Sequence, residues 1–317
     1  MSKKILIICG PTATGKTQLA LKLAKLYKTD IISADSRQVY QNMDIGTGKD
    51  IPFNSQKKFA KFNSLPATPY YQYHQTKIWG YDLSSPTNPY SIADYCHLTW
   101  KIINYLHNND QLPIIVGGSG LYLNSLINPP ETIGIPPNLS LRAKLSKLTI
   151  TDLQTELFNR NAGCFNAMNN SDSLNPRRLI RAIEISEYKN KRRKKVSSQY
   201  KSLWIGLSLP KEQLKLKIEN RVNDRANQQF SKEIRNLAPR RLIDWSLPAF
   251  SATGYKEWWD YLHHQISKKE AIRLWALHEY QYARRQITWF KKYPQINWFD
   301  VSSPQWDKQV VERLKSW

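Results

Sequence analysis

The chain has 317 residues, which is long enough for a full hydrophobic core, either as one large α/β domain with an insertion or as two domains. Its 47 Lys and Arg residues outnumber its 25 Asp and Glu residues, and the formal net charge of +22 points to a polyanionic partner such as nucleic acid, with an acidic membrane surface or a merely soluble basic surface as alternatives. A mean hydropathy of −0.58 argues against a membrane protein, and three widely separated cysteines argue against a disulfide framework or a cysteine-rich zinc site.

The first predicted element is an apolar strand over Ile5–Cys9, and a glycine-containing loop follows it. This loop fills every fixed position of the G-x-x-x-x-G-K-[ST] pattern. Its glycines let backbone N–H groups converge on phosphate oxygens, Lys16 adds a positive charge, and the Thr17 hydroxyl is placed to ligate Mg²⁺ at the start of the next helix. The strand begins too early for a signal peptide to precede it, so we expect a cytoplasmic protein. The residues expected to bind a di- or triphosphate group are Gly10, Pro11, Thr12, Ala13, Thr14, Gly15, Lys16 and Thr17.

Two further apolar strands are predicted over Ile31–Ala34 and Leu112–Val116, and each ends in a polar or glycine-rich turn. Ligands of open parallel sheets bind at the carboxyl ends of the strands, so we expect the phosphate loop, Asp35 and the Gly117–Gly120 turn to surround one crevice. Asp35 is the sole carboxylate at a predicted strand end; it could hold a metal, take a proton from a nucleophile, or only cap a turn. Residues 52–90 show little periodicity and predict a long connection with at most a short strand.

The character of the chain changes at about residue 128, where a polar stretch rich in asparagine begins. Helical patterns at Ser140–Leu148 and Thr151–Phe158, together with the helix start at Asn175-Pro176, predict an inserted helical subdomain over residues 128–200. The run Lys189–Lys195 has six cationic residues in seven, and it fits either a nucleic-acid contact or an ordinary solvated surface.

The core is expected to resume with a strand over Leu203–Leu209 and two long amphipathic helices, at about Lys211–Leu237 and Lys268–Phe290. The predicted fold class is α/β, a P-loop NTPase-like parallel sheet flanked by helices, with an inserted helical subdomain. The catalytic core is expected in residues 1–127 and 201–317, and nucleic acid is the expected partner. The phosphate loop by itself leaves the reaction open among kinases, ATPases, GTPases and transferases that release diphosphate.

The motifs of this chain resemble those of bacterial tRNA dimethylallyltransferases, and the resemblance covers nearly the whole sequence. The phosphate loop is shared by many families, whereas the D-S-x-Q-x-Y block followed by M-D-I-G-T is specific to this one. The segments that carry the resemblance are Gly10–Thr17, Ser33–Tyr40, Met43–Lys49, Pro89–Tyr95, Gly117–Tyr122, Asn175–Ala182 and Arg284–Phe290.

The resemblance implies transfer of a dimethylallyl group from dimethylallyl diphosphate to N6 of the adenosine immediately 3′ of the anticodon in tRNA, with Mg²⁺ and release of diphosphate. It implies that Asp35 is the general base and that Ser119 and Arg221 polarise or clamp the diphosphate region beside Lys16 and Thr17. The implied partners are dimethylallyl diphosphate and the tRNA anticodon stem-loop, and we expect a monomer without an obligatory protein partner. The implied tRNA contacts are Asp35, Ser36, Arg37, Gln38, Ser119, Arg142, Pro176, Arg177, Arg178, Leu179, Ile180, Ser251, Ala252, Thr253, Gly254, Tyr255, Lys256, Gln281, Arg284, Arg285, Gln286 and Thr288.

The chain departs from the family pattern at three places. Trp79-Gly80-Tyr81-Asp82 stands where the family often has a His-His pair before an aspartate. Arg225 and Gln229 replace a usual Met and Gly, and Glu279-Tyr280 replaces a usual Thr-Arg pair. These changes concern fine contacts and leave the implied reaction class unchanged.

Three other functions remain open at this point. The phosphate loop and parallel sheet suit a P-loop nucleotide or small-metabolite kinase equally well. An isopentenyltransferase acting on free adenine nucleotides would use the same chemistry, although the net charge and the helical insertion argue against it. A non-catalytic RNA-binding module would show salt-sensitive tRNA binding without turnover.

Overall fold

The computed structural model describes residues 3–62, 67–188, 200–237 and 243–317. The chain divides into two compact units. One unit is formed by Met1–Asn128 together with Ser198–Trp317, and the other is formed by the intervening Pro129–Ser197. The basic run Lys189–Lys195 lies outside the described residues, so its role stays a prediction.

The first unit is built on one sheet, which has eight strands within the described residues. These strands are β1 Lys3–Cys9, β2 Ile31–Ser33, β3 Gln56–Ala60, β4 Thr68–Tyr73, β5 Thr76–Trp79, β6 Ile114–Val116, β7 Tyr200–Ser208 and β8 Ile296–Asp300. Their order across the sheet is β3-β4-β5-β2-β6-β1-β7-β8. Neighbours from β5 to β8 run parallel, whereas β3, β4 and β5 form an antiparallel meander at one edge. The predicted α/β class with a mostly parallel sheet is confirmed.

Helices flank this sheet, and four of the helices in the described part of the chain, α4 to α7 below, belong to the second unit. The helices are α1 Lys16–Tyr27, α2 Ile92–Asn108, α3 Gly120–Ile127, α4 Leu139–Leu145, α5 Ile150–Asn166, α6 Asn170–Ser173, α7 Pro176–Glu187, α8 Lys211–Ala226, α9 Phe230–Leu237, α10 Tyr255–Leu262, α11 Lys268–Phe290 and α12 Trp306–Lys315. A 3₁₀ turn over Pro248–Ser251 precedes α10. Helix α11 has the predicted bounds.

Strand β1 is central because it hydrogen-bonds to β6 on one side and β7 on the other. Its segment Ile5–Cys9 is fully buried, as expected for a strand of a parallel sheet that is covered on both faces. Leu19 and Leu23 of α1 pack with Leu6 and Ile8 in one hydrophobic cluster. Strand β1 and helix α1 therefore pack together and anchor the loop between them at both ends.

The structure contradicts the prediction that residues 52–90 form a long connection, because this stretch contains β3, β4 and β5. Strand β3 lies at the sheet edge and is largely exposed, so its side chains lack the apolar alternation by which a half-buried strand is recognised. Strands β4 and β5 are joined across the pair Tyr70 and Trp79, whose ring centroids lie 4.7 Å apart. Cross-strand aromatic packing of this kind stabilises a sheet without a periodic apolar pattern.

The prediction of one helix over Lys211–Leu237 is also wrong, because α8 ends at Ala226 and α9 begins at Phe230. The break lies in a polar Asn-Gln-Gln stretch. The fully buried ring of Phe230 then packs against Tyr255, Trp258 and Trp275. Burial of this aromatic cluster outweighs continuation of the amphipathic pattern.

The second unit is a small helical bundle with its own core, in which Leu157 of α5 packs with Leu179 and Ile183 of α7. The Asn175 side chain caps α7 by accepting hydrogen bonds from the backbone N–H groups of Arg177 and Arg178, with Pro176 at the first helical position. This is the predicted helix start, and its mechanism is the expected one.

Candidate active site

A cavity of about 870 Å³ lies at the carboxyl ends of β1, β2 and β6. Backbone hydrogen bonds bring these strand ends together: Gly117 N–H donates to Ile8 O at 3.0 Å, and Ala34 N–H donates to Val116 O at 2.7 Å. Ser119 N–H donates to Ala34 O at 3.2 Å and ties the third turn to the second strand. The phosphate loop, Asp35 and the Gly117 turn therefore share one cavity, as the strand ends predict.

The phosphate loop begins at Gly10, which only glycine can occupy without strain. Its φ is +130°, and a Cβ atom there would lie 2.4 Å from the backbone oxygen of Leu207 on β7. The loop ends at Gly15, whose left-handed backbone (φ +81°) leads into α1 at Lys16. The positive end of the α1 dipole and the first N–H groups of the helix consequently face the loop, which favours a bound anion.

Lys16 is poised for an anion, because its Nζ atom donates to Pro11 O at 2.6 Å. Burial lowers the pKa of Lys16 to about 8, and the positive charge of Arg221 contributes to the lowering. A bound diphosphate would supply the negative charge that favours the ammonium form. The lysine is thus held in the loop by a carbonyl group that a phosphate oxygen can replace.

Thr12 connects the phosphate loop to residues from distant parts of the chain. Its backbone N–H donates to Gln286 Oε1 at 2.9 Å, and its hydroxyl group accepts from Arg221 Nη1 at 2.8 Å. The Gln286 side chain also donates to Gly118 O at 3.0 Å, so one glutamine of α11 joins the loops that follow β1 and β6. The structure thereby brings the predicted clamp residue Arg221 to the phosphate loop.

Asp35 lines the cavity at the end of β2. Its Oδ1 atom accepts from the backbone N–H of Arg37 at 2.8 Å, which is the turn-capping contact, while Oδ2 has no hydrogen-bond partner among the described residues. Ser119 Oγ accepts from the backbone N–H of Ser36 at 3.0 Å. Gln38 donates to Gly48 O at 2.9 Å. The cap therefore uses one carboxylate oxygen and leaves the other available for chemistry.

The sequence interpretation missed Asp50, which stands beside the predicted metal ligand. Thr17 Oγ1 donates to Asp50 Oδ2 at 3.3 Å, and Asp50 Oδ1 accepts from Arg221 Nη2 at 3.0 Å. No group of three or more His, Cys, Asp and Glu side chains that could hold a metal occurs among the residues described. A hydroxyl and a carboxylate fit Mg²⁺, which prefers oxygen ligands and usually keeps several waters and substrate phosphate oxygens. Asp50 comes directly after the Met43–Lys49 segment and not at the end of a strand. A search for carboxylates at predicted strand ends therefore could not find it.

The other predicted tRNA contacts of the first unit fall into three groups. Ser251, Ala252 and Thr253 line the cavity. Gly254 and Tyr255 are buried, and Tyr255 donates to Glu233 Oε1 at 2.6 Å, so these two support the fold of the turn and cannot face a ligand directly. Lys256 is exposed on α10.

Helix α11 presents its predicted contacts beside the cavity. Arg285 and Gln286 line the cavity, together with Tyr282, which the sequence analysis did not single out. Burial raises the pKa of Tyr282, and the negative charge of Asp35 raises it further. A second, shallow groove of about 330 Å³ is formed by Gln281, Arg284, Arg285, Thr288, Trp289 and Lys292.

In the second unit the predicted tRNA contacts differ in burial and in ion pairing. Leu179 is fully buried in the core of that unit, so its side chain packs there and cannot contact RNA. Arg142 forms a bidentate ion pair with Glu184, and Arg178 pairs with Asp172. Pro176 and Arg177 are exposed, and Ile180 is half-buried.

Comparisons with known proteins agree with one another. The family model described as IPP transferase matches residues 38–293, and the model described as isopentenyl transferase matches residues 3–60. A tRNA dimethylallyltransferase of Crocosphaera subtropica is 31% identical over 99% of this chain and 97% of its own length, and one of Halothermothrix orenii is 33% identical over 98% and 91%. The crystal structure of the tRNA isopentenylpyrophosphate transferase from Bacillus halodurans is 29% identical, covers 99% of this chain and 96% of its own, and superposes with a TM-score of 0.68.

Proposed function

The chain belongs to the IPP transferase family, and we propose that it transfers a dimethylallyl group from dimethylallyl diphosphate to N6 of the adenosine immediately 3′ of the anticodon in tRNA. It is a prenyltransferase that modifies tRNA. The proposal of this substrate pair and target atom is supported by the shared cavity. The phosphate loop and Asp35, with its free Oδ2 atom, line the same space.

The donor diphosphate is assigned to the phosphate loop, with Lys16 and Arg221 as its cationic partners. Cleavage of the allylic C–O bond leaves the bonding electrons on the diphosphate, so negative charge grows on its oxygens in the transition state. Backbone N–H groups of residues 13–17 and the Arg221 guanidinium are in place before the reaction and stabilise that charge. Exchange of the Pro11 carbonyl for a phosphate oxygen lets Lys16 join them.

The acceptor amine is assigned to the β2 side of the cavity. As the N6–C bond forms, the amine must lose a proton, and the free Oδ2 atom of Asp35 is the proposed acceptor of that proton. The cap to Arg37 N–H holds the carboxylate in place during the transfer. Ser119 orients the adjoining turn through its bond to Ser36 N–H.

Thr17, with Asp50 beside it, is the proposed holder of Mg²⁺. When Mg²⁺ is bound, it would neutralise part of the negative charge on the departing diphosphate. Arg221 contacts both Asp50 and Thr12. The contact with Thr12 positions its guanidinium also when the Asp50 carboxylate binds a metal.

The tRNA anticodon stem-loop is proposed to contact the exposed cations of α11 and of the second unit, consistent with the net charge of +22. The target base must leave its stack to reach Asp35, which is least costly in a single-stranded loop. We propose a cytoplasmic monomer. Within the described residues, no helix combines the length and the apolar character needed to cross a membrane.

The test is an in vitro transfer assay with labelled dimethylallyl diphosphate. The protein should move label to N6 of a tRNA transcript with adenosine 3′ of the anticodon, and a transcript with guanosine at that position should stay unlabelled. AMP as acceptor should give no product. Absence of transfer to the tRNA, or consumption of ATP with a phosphorylated small product, would overturn the proposal.

A further inference from the structure

A carboxylate with no assigned role borders the main cavity beside the phosphate loop. Glu279 of α11 is buried, and each of its two oxygens is saturated by protein donors. Oε1 accepts from Thr12 Oγ1 at 3.3 Å and from Arg225 Nη1 at 3.4 Å. Oε2 accepts from Thr253 Oγ1 at 2.8 Å and from Trp275 Nε1 at 3.3 Å. Glu279 therefore joins the phosphate loop, α8, α11 and the turn before α10.

The contact with Thr12 transmits the position of Glu279 to the clamp. A hydroxyl group has one proton, and here the Thr12 hydroxyl donates it to Glu279. Its oxygen is thereby left to accept from Arg221 Nη1 at 2.8 Å. The Glu279 carboxylate therefore sets the direction of the Thr12 hydroxyl group. Through that hydroxyl it also sets the position of the Arg221 guanidinium.

Arg225 completes the arrangement from α8. Its side chain and that of Glu279 are each 7% exposed, so the pair is almost fully removed from water. The guanidinium packs against the backbone of Gly48, where a Cβ atom would lie 1.6 Å from Arg225 Nη2. Gly48 O also accepts from Arg221 Nη2 at 3.2 Å, so both arginines rest on the same backbone segment.

Glu279 is held as a carboxylate by its surroundings. Burial by itself would raise the pKa of Glu279, but the charges of Arg225 and Arg221 and the hydrogen bonds from Thr253 and Trp275 lower it overall. A buried charge without its partner is costly, so the two charges of this pair depend on each other.

We infer that Arg225 and Glu279 act as one positioning unit, which sets Thr12 and Arg221 for binding of the donor diphosphate. This inference rests on the proposed function. Neither residue is assigned a contact with the reacting atoms, so the unit should govern affinity for the donor and leave affinity for tRNA largely unchanged.

The experiment measures binding of inorganic diphosphate and the kinetic constants for both substrates in the full-length protein. Glu279→Gln and Arg225→Met should each weaken diphosphate binding at least tenfold and raise KM for dimethylallyl diphosphate in parallel. Each substitution leaves the other member of the buried pair without its opposite charge, which loosens the hydrogen bonds that position Thr12 and Arg221. The double variant with Arg225→Met and Glu279→Gln should lose no more affinity than the weaker-binding single variant, again at least tenfold, because residues that act as one unit are lost together. KM for tRNA should stay within about twofold in all three.

A matched control is Glu184→Gln, which neutralises a fully buried carboxylate of the second unit and should leave diphosphate binding unchanged. Single variants that bind diphosphate like the parent, or losses that simply add in the double variant, would overturn the inference. If a single variant does not fold, the double variant decides: parental diphosphate affinity there would show that the pair does not position the clamp. Failure of the parent itself to bind diphosphate would instead refute the proposed function.

Discussion

Thr17 Oγ1 lies 3.3 Å from Oδ2 of Asp50, so the last residue of the phosphate motif faces a carboxylate that no strand end supplies. The other oxygen of Asp50 accepts from Arg221. This carboxylate is consequently shared between the proposed metal site and the cationic clamp, and its removal should disturb both.

Asp50→Asn is expected to raise the Mg²⁺ concentration needed for half-maximal transfer by about 10- to 100-fold, the usual effect of losing an outer partner of a metal ligand. The measurement is a Mg²⁺ titration of the initial rate at saturating donor and tRNA. Asp224→Asn serves as the control, because Asp224 lines the same cavity without a bond to Thr17. An unchanged Mg²⁺ requirement in Asp50→Asn would remove Asp50 from the metal site.

Asp35→Asn separates the chemical role of Asp35 from its role in the turn. The amide oxygen can still accept from Arg37 N–H, so the turn should persist, but the side chain can no longer take a proton. Loss of a general base costs about 10²–10⁴ in rate, and we expect kcat to fall by that amount while Kd for tRNA stays within a few fold. Single-turnover assays and filter binding test this. If tRNA affinity fell as much as this and kcat did not fall, Asp35 would have a role in tRNA binding and not in proton transfer.

Lys16 should make donor binding depend on pH. Its pKa in the ligand-free protein is about 8, and a bound diphosphate favours the protonated form, so binding takes up a proton at higher pH. Affinity for dimethylallyl diphosphate is expected to be constant below about pH 7 and to fall above pH 8, approaching about tenfold per pH unit. Lys16→Arg stays charged throughout and should lose this dependence, whatever its absolute affinity. Equal slopes for the two proteins would contradict the assignment.

Gln286 should contribute to stability through its two bonds to loop backbone. Gln286→Ala leaves Thr12 N–H and Gly118 O without their partner in a buried place, at about 1–3 kcal/mol for each unsatisfied group. We expect a lower free energy of unfolding in urea and weaker donor binding. Gln281→Ala, at an exposed position of the same helix, should leave the unfolding free energy unchanged. Equal stability of the two variants would show that the loops hold without this glutamine.

The strand ends of the site were predictable because their signals are local. An apolar run followed by the phosphate motif, and a second run ending in Asp35, place two loops at one edge of a parallel sheet once the sheet is assumed. The same reasoning missed β3 at the edge of the sheet, since an exposed edge strand has no buried face to impose an apolar pattern.

The remaining parts of the site depend on contacts between segments far apart in the chain. Glu279 is 267 residues from Thr12, and Arg225 is 54 residues from Glu279. In sequence each is an ordinary charged residue on an amphipathic helix, and only the packing of α8 and α11 makes them buried partners. Resemblance to the family marked both positions as departures without indicating that the two residues touch.

Arg284 and Arg285 give the sharpest test of the tRNA surface. Both are exposed on α11, Arg284 in the shallow groove and Arg285 in both the groove and the main cavity. If each neutralises one phosphate, replacing both by Gln should reduce the slope of log K for tRNA against log salt concentration by about 1.4, taking about 0.7 per contact for a single-stranded loop. Arg273→Gln is the matched control, because Arg273 lies on the same helix and pairs with Glu270. KM for the donor should stay nearly constant, since Lys16 and Arg221 still bind the diphosphate. A slope that stays parental in the double variant would move the anticodon arm away from α11.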